Sequence, residues 1–162
     1  MKPFLTLLLA LFCYSSFAQS PDYESIKLGN KEECTAAEPS AIQACTYIFS
    51  TPFEKNDLAR LNALAFIIKW MSATPDFSFT IDETAIKSMK GNDDLVGLYL
   101  AAMTKYSLEN REAAKDKNKV KLNAVTLVLN YCEDEKNKMK MPKALKKLSE
   151  AKAKGELEKA LE

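Results

Sequence analysis

The sequence predicts an all-α, single-domain helical bundle, orthogonal or up-down, of about five to six helices. Three observations predict it. Glycine numbers only 4 in 162 residues, which favours long helices over tight turns. Two stretches, LNALAFIIKWM at 61–71 and LNAVTLVLNYC at 122–132, are apolar nearly all round, the pattern of helices central to a bundle. Alternation with a period of two occurs in FSFTID at 77–82, and a lone strand has no partner.

The chain opens with Met1, Lys2 and Pro3, followed by an apolar run at 4–12. Ser16, Phe17 and Ala18 then place small residues three and one before a cut. One positive charge, a short apolar core and that small-residue site make a secretory signal peptide pattern, with cleavage expected after Ala18. The run is shorter than the ~20 apolar residues of a membrane span. Export, to the periplasm or beyond, is therefore the expected localisation. The expected organisation is a signal peptide at 1–18, a polar lead-in at 19–38, a helical core at 39–142 and a basic amphipathic helix at 143–162.

Pro21 and Gly29 make the lead-in mostly irregular, with room for a short turn of helix. Pro39 suits a first helical position and opens a helix to Ser50. Thr51, Pro52, Phe53 and Glu54 match a capping box, so the next helix is expected to begin near Pro52 and to stop before Thr74 and Pro75. FSFTID is expected to be an extended connector whose aromatics plug the core. Asp82 can cap a short helix to Lys90, with Gly91 as a left-handed terminator, and Asn92 caps another to about residue 110. One long helix is expected over 111–139, stopped by Pro142, and a weak stripe of Leu145, Leu148, Ala151 and Leu157 predicts helix through the tail.

The two apolar stretches share a spacing. Leu61, Leu64, Ile68 and Met71 fall at i, i+3, i+7 and i+10, and so do Leu122, Val125, Leu129 and Cys132. They could be two pseudo-repeated helical hairpins. The period exceeds those of common helical solenoids and the likeness fades outside these positions, which favours convergent packing. Asn62 and Asn123 are expected to make interhelical hydrogen bonds.

Export places the thiols in an oxidising compartment. Cys13 leaves with the signal, and Cys34, Cys45 and Cys132 remain. Cys34–Cys45 is the favoured disulfide; Cys45–Cys132 and no bridge are the alternatives. Histidine is absent, which removes Ser-His-Asp and Cys-His catalysis and imidazole metal sites. There is no CxxC and no glycine-rich phosphate loop, so no cofactor or metal is expected. Asp82 with Glu83, and Asp93 with Asp94, read as helix caps before they read as acid–base pairs.

Without Lys2 the chain carries 22 basic and 22 acidic side chains, so partners must be read from local charge. Residues 111–121 hold five basic side chains, and 136–154 hold eight lysines against Glu150. Lys143, Lys146 and Lys147 are candidate partner contacts, set against the plainer reading of a solvated face. No aromatics interleave with them, so nucleic acid is not expected. Trp70 and Tyr131 occupy matched places in the two apolar stretches and are candidates for a groove rim.

RLNALAFIIKWMSATPDFSF and DDLVGLYLAAMTKYSLEN, with a leader ending FAQ, resemble exported all-helical proteins of Bacteroidetes-type Gram-negative bacteria. That group lends no activity to transfer. In size and helical character the chain is also similar to small periplasmic immunity proteins and acid-stress chaperones, although no motif carries residues across. The expected function is non-enzymatic binding of another protein in the cell envelope, of immunity, inhibitor or chaperone-like type. The alternatives are a carrier of a small apolar ligand, with a cavity lined by Phe66, Phe77 and Phe79, and an enzyme using carboxylate, lysine or tyrosine chemistry.

Overall fold

The middle of the bundle is the helix Asp93–Glu109, rather than either of the two apolar stretches. Its buried side chains include Leu95, Leu98, Tyr99 and Met103, and the small residues Gly97, Ala101 and Ala102 let neighbours approach closely. A Cβ added at Gly97 would lie 2.5 Å from Leu64 Cδ2, so glycine is what admits that contact. The computed structural model describes residues 22–162. The expected signal peptide and the first residues of the lead-in lie outside the described residues.

Among the described residues, eight α-helices and two 3-10 turns follow in order: α1 Lys31–Ala36, α2 Glu38–Ser50, α3 Leu58–Ala73, α4 Glu83–Ser88, α5 Asp93–Glu109, a 3-10 turn Ala113–Lys115, α6 Lys117–Glu133, a second 3-10 turn Glu135–Asn137, α7 Lys143–Ala153 and α8 Leu157–Ala160. No strand occurs among the described residues. The fold is all-α, and its long helices are α2, α3, α5, α6 and α7. α5 packs on α6, α2 and α3; α7 packs on α6, α4 and α8.

Several expectations stand. α2 ends at Ser50 and α3 stops at Ala73, before Thr74 and Pro75. Asp82 caps α4 by accepting from Ala85 N, and Gly91 follows with a φ of 86°. Asn92 caps α5 by accepting from Leu95 N. The 77–82 stretch is a connector, with Phe77 and Phe79 centred 5.8 and 6.2 Å from the Trp70 ring.

Others need correction. The lead-in holds more helix than the short turn expected of it: α1 starts at Lys31, capped by Asn30, whose side chain accepts from Glu33 N. The capping box does not form. Thr51 Oγ1 donates to the Tyr47 carbonyl at 2.7 Å, and Asp57 caps α3 by accepting from Ala59 N and Arg60 N. The long helix expected over 111–139 is cut twice. Asp116 accepts from Asn118 N and Lys119 N, Asp134 accepts from Lys136 N, and Lys138 adopts a left-handed φ of 55°. In each case a short acidic side chain competes for backbone N–H groups and restarts or ends the helix.

The favoured Cys34–Cys45 bridge is also overturned: Cys34, Cys45 and Cys132 are all buried, and no disulfide joins them among the described residues. α1 and α2 are separated by Ala37 alone, which keeps helical angles. Eleven residues along a nearly continuous helix span ~16 Å, far beyond the ~6 Å between Cα atoms that a disulfide accepts.

Candidate functional site

α3 buries one face and leaves its opposite face open. Arg60, Ala63, Phe66, Ile67 and Trp70 point inward. At 100° per residue, Leu58, Leu61, Ala65 and Ile68 fall together on the other side. Leu58 is 72% exposed, Leu61 51% and Ile68 42%. Leu64 and Met71, half-buried, border this ridge on the α5 side. On the other border Tyr23 stacks on Phe66, with ring centroids 4.7 Å apart. There Asn62, Ala65 and Lys69 share a surface pocket of about 320 Å³ with Asp22, Tyr23 and Glu24. The stripe expected to be core is therefore largely a surface feature. In α6 the matching positions Val125, Leu129 and Cys132 are buried, with Leu122 half-buried.

The matched asparagines do not join helices. Asn123 Nδ2 donates to Lys119 O on its own helix at 2.8 Å, and Asn62 is exposed. Trp70 and Tyr131 do occupy equivalent places, but both are buried, which corrects their reading as a groove rim. Trp70 Nε1–H donates to the Cys34 carbonyl at 2.9 Å, and Tyr131 OH donates to the Thr51 carbonyl at 2.7 Å. Both polar handles are used internally. Of the carrier's aromatics, Phe66 lies against Tyr23 and lines the pocket beside it, Phe77 lines a second surface pocket of about 580 Å³, and Phe77 and Phe79 pack on Trp70 and on each other.

Lys143, Lys146 and Lys147 are exposed on α7, opposite its buried Leu145 and Leu148. They are brought together as a face, on a helix that packs against α6, α4 and α8 rather than against α3.

Arg60 carried no sequence flag. Its side chain is buried although charged, 8% exposed. The guanidinium carbon lies 5.7 Å from the Phe53 ring centroid and 5.4 Å from that of Tyr131, and Nη1 donates to the Ile48 carbonyl at 2.9 Å. No carboxylate pairs with it among the described residues. An arginine one residue before an apolar run was the available signal.

The groups able to do chemistry are tied into structure. Burial pushes the Cys45 and Cys132 thiols up to about 12, so neither supplies a thiolate at neutral pH. Burial likewise raises Tyr99 to about 12; its hydroxyl has no partner among the described residues. Lys121 Nζ donates to Asp82 Oδ2 at 3.2 Å and to the Leu161 carbonyl at 2.7 Å, which anchors the C-terminal end of the chain to α6. Among the described residues no group of three or more Cys, Asp or Glu is placed to hold a metal ion. No described helix is long and apolar enough to cross a membrane.

This anchor gives a pH prediction. Burial would raise the Asp82 carboxyl, but the N–H of Ala85 and the Lys121 ammonium outweigh it and hold the group below its ordinary 3.8. Glu133, held by Lys152 and Ser149 against its own burial, likewise sits below 4.5. Groups depressed on folding stabilise above their unfolded pKa, and that contribution is lost as pH falls through the folded value. The thermal midpoint is expected to hold down to about pH 5 and to fall below about pH 4. Lys121→Met should lower the midpoint at neutral pH and flatten the acid limb. An unchanged acid limb in that variant would remove the anchor from the explanation.

No protein-family model, curated protein or solved structure matches the chain.

Proposed function

We propose that this is an exported, non-enzymatic helical protein that binds another protein in the cell envelope, through the outer face of α3. The observation carrying this reading is the ridge of Leu58, Leu61 and Ile68, large apolar side chains that the fold exposes along one helix face. Scattered exposed leucines need no explanation, whereas a set aligned at i, i+3 and i+10 on one helix face is an arrangement that a partner groove can read. The leader pattern at 1–18 and the resemblance to exported helical proteins support the localisation. The internal use of Asp82, Lys121 and the buried thiols supports a binding role over catalysis.

The ridge is narrow beside the ~800 Å² that each partner contributes to a standard interface. The partner must therefore cover the borders as well, including the Tyr23–Phe66 stack and Lys69. This fits an immunity, inhibitor or chaperone-like binder that meets a second protein, rather than a stable self-dimer.

A photoreactive residue placed at position 61 or 68, and as a control at exposed Gln43 on α2, tests the reading in the native envelope fraction. A discrete adduct from 61 and 68 but not from 43 supports it. An adduct of two copies of this chain, or none from 61 and 68, overturns it. Leu61→Glu with Ile68→Glu should abolish the adduct formed from position 65 while changing stability by no more than about 0.5 kcal/mol.

A further inference from the structure

We infer that the outward ridge of α7, formed by Lys143, Lys146, Lys147 and Lys154, docks the protein peripherally on an anionic phospholipid surface. This inference does not depend on the α3 reading, because it rests on another element and another kind of chemistry.

α7 buries Leu145 and Leu148, and at 100° per residue the four lysines fall on the opposite side, centred on Glu150. All four are exposed. They stand on the most outward line of the helix and spread over ~16 Å, a length that a flat charged surface can meet at once.

Charge bookkeeping separates these lysines from their neighbours. Lys136 pairs with Asp134, Lys138 with Glu54, and Lys152 with Glu133. Asp134, Glu54 and Glu133 are thereby consumed, while Glu135 and Glu156 lie near the two ends of the ridge without an ion-pair partner among the described residues. Lys143, Lys146, Lys147 and Lys154 have no carboxylate within ion-pair distance among the described residues, and neither does exposed Lys140 just before the helix. Glu150 is the one acid on the ridge, and it leaves a clear local excess on a chain whose overall charge is +1.

The residue types choose the partner. Lysine is depleted at the cores of protein interfaces, where arginine and aromatics are preferred, and this ridge contains neither. Lysine is a hydrated point charge, suited to diffuse attraction by phosphate headgroups, to which clustered basic residues contribute additively. Insertion is ruled out by the fold, because the apolar side of α7 is already in the core. Attachment must therefore be electrostatic, shallow and salt-sensitive.

The test is cosedimentation of the full chain, at physiological ionic strength, with vesicles of phosphatidylcholine containing phosphatidylglycerol and with vesicles of phosphatidylcholine alone. The second set subtracts any contribution from the apolar run at 4–12. Wild type is expected to bind the anionic vesicles more tightly than the neutral ones. Lys143→Gln, Lys146→Gln and Lys147→Gln together should weaken that difference at least tenfold, and high salt should abolish it. Lys27→Gln, Lys55→Gln and Lys90→Gln together, exposed lysines off the ridge, should leave it within twofold. Circular dichroism and thermal midpoints confirm that both triple variants fold. Equal binding of wild type to the two vesicle types, or equal loss in the two variants, overturns the inference. Ridge-dependent capture on immobilised polyglutamate with no preference for anionic vesicles also overturns it, in favour of an acidic protein.

Discussion

Trp70→Ala is expected to lower the unfolding free energy by about 3–5 kcal/mol, the range for deleting a large buried aromatic. The indole is fully enclosed. It holds three parts of the chain at once: α3, on which it sits; the connector, through Phe77 and Phe79; and α1, through its hydrogen bond to the Cys34 carbonyl. Trp70→Phe keeps most of the apolar contact but leaves the Cys34 carbonyl without its indole donor, an expected cost of about 1–3 kcal/mol. Denaturant midpoints should therefore fall in the order wild type, Trp70→Phe, Trp70→Ala, and the milder variant preserves the test if the severe one does not fold. As the only tryptophan in the chain, Trp70 also reports its own burial. The folded protein should emit at short wavelength and resist iodide quenching. A red-shifted, readily quenched indole in the folded state would contradict the packing described here.

Helix termini marked by strong local chemistry were legible in the sequence. Asp82, Asn92 and Gly91 act where their side chains or backbone freedom say they should, because a cap depends on a few adjacent atoms. Thr51 shows where this stops. Its hydroxyl had two partners within reach, and the Tyr47 carbonyl at the end of α2 won over the N–H of Glu54, which a sequence pattern cannot decide. The apolar face of α3 was legible as apolar but not as exposed. A helix that is apolar nearly all round carries no moment to say which side faces the core, so the stripe of Leu61 and Ile68 and the stripe of Phe66 and Trp70 were equivalent until neighbours were placed. α5 was underrated for the converse reason. Gly97, Ala101 and Ala102 add little hydrophobicity to a sequence, yet their small size is what lets α6, α2 and α3 gather round that helix. The disulfide expectation failed on distance alone, since it assumed that the segment carrying Cys34 was free to fold back. At the candidate site, the lysines of α7 could be read from composition, whereas the ridge on α3 required the fold.

Arg60→Ala is expected to cost about 4 kcal/mol, because it removes several interactions of one buried cation together. The hydrogen bond from its guanidinium to the Ile48 carbonyl is charge-assisted, worth about 1.5–3 kcal/mol. That carbonyl lies in the last turn of α2, where a cation also meets the negative end of the helix dipole. The rings of Phe53 and Tyr131 add cation–π contacts of about 0.5–2 kcal/mol each. Arg60→Met keeps the apolar stem and should recover part of the loss, to about 2–3 kcal/mol, while Arg60→Lys should do no better, since a compact hydrated ammonium cannot replace a planar group lying against two rings. Urea denaturation of the three variants measures the order; a neutral Arg60→Met would show that the charge does not contribute. Arg60 and Leu61 are adjacent on α3 but point about 100° apart, one into the core and one along the exposed ridge. Any binding defect in Arg60 variants should therefore follow their loss of stability, and disappear at temperatures where they are fully folded. A defect in Leu61→Glu should persist there if it acts on the exposed ridge proposed to meet the partner.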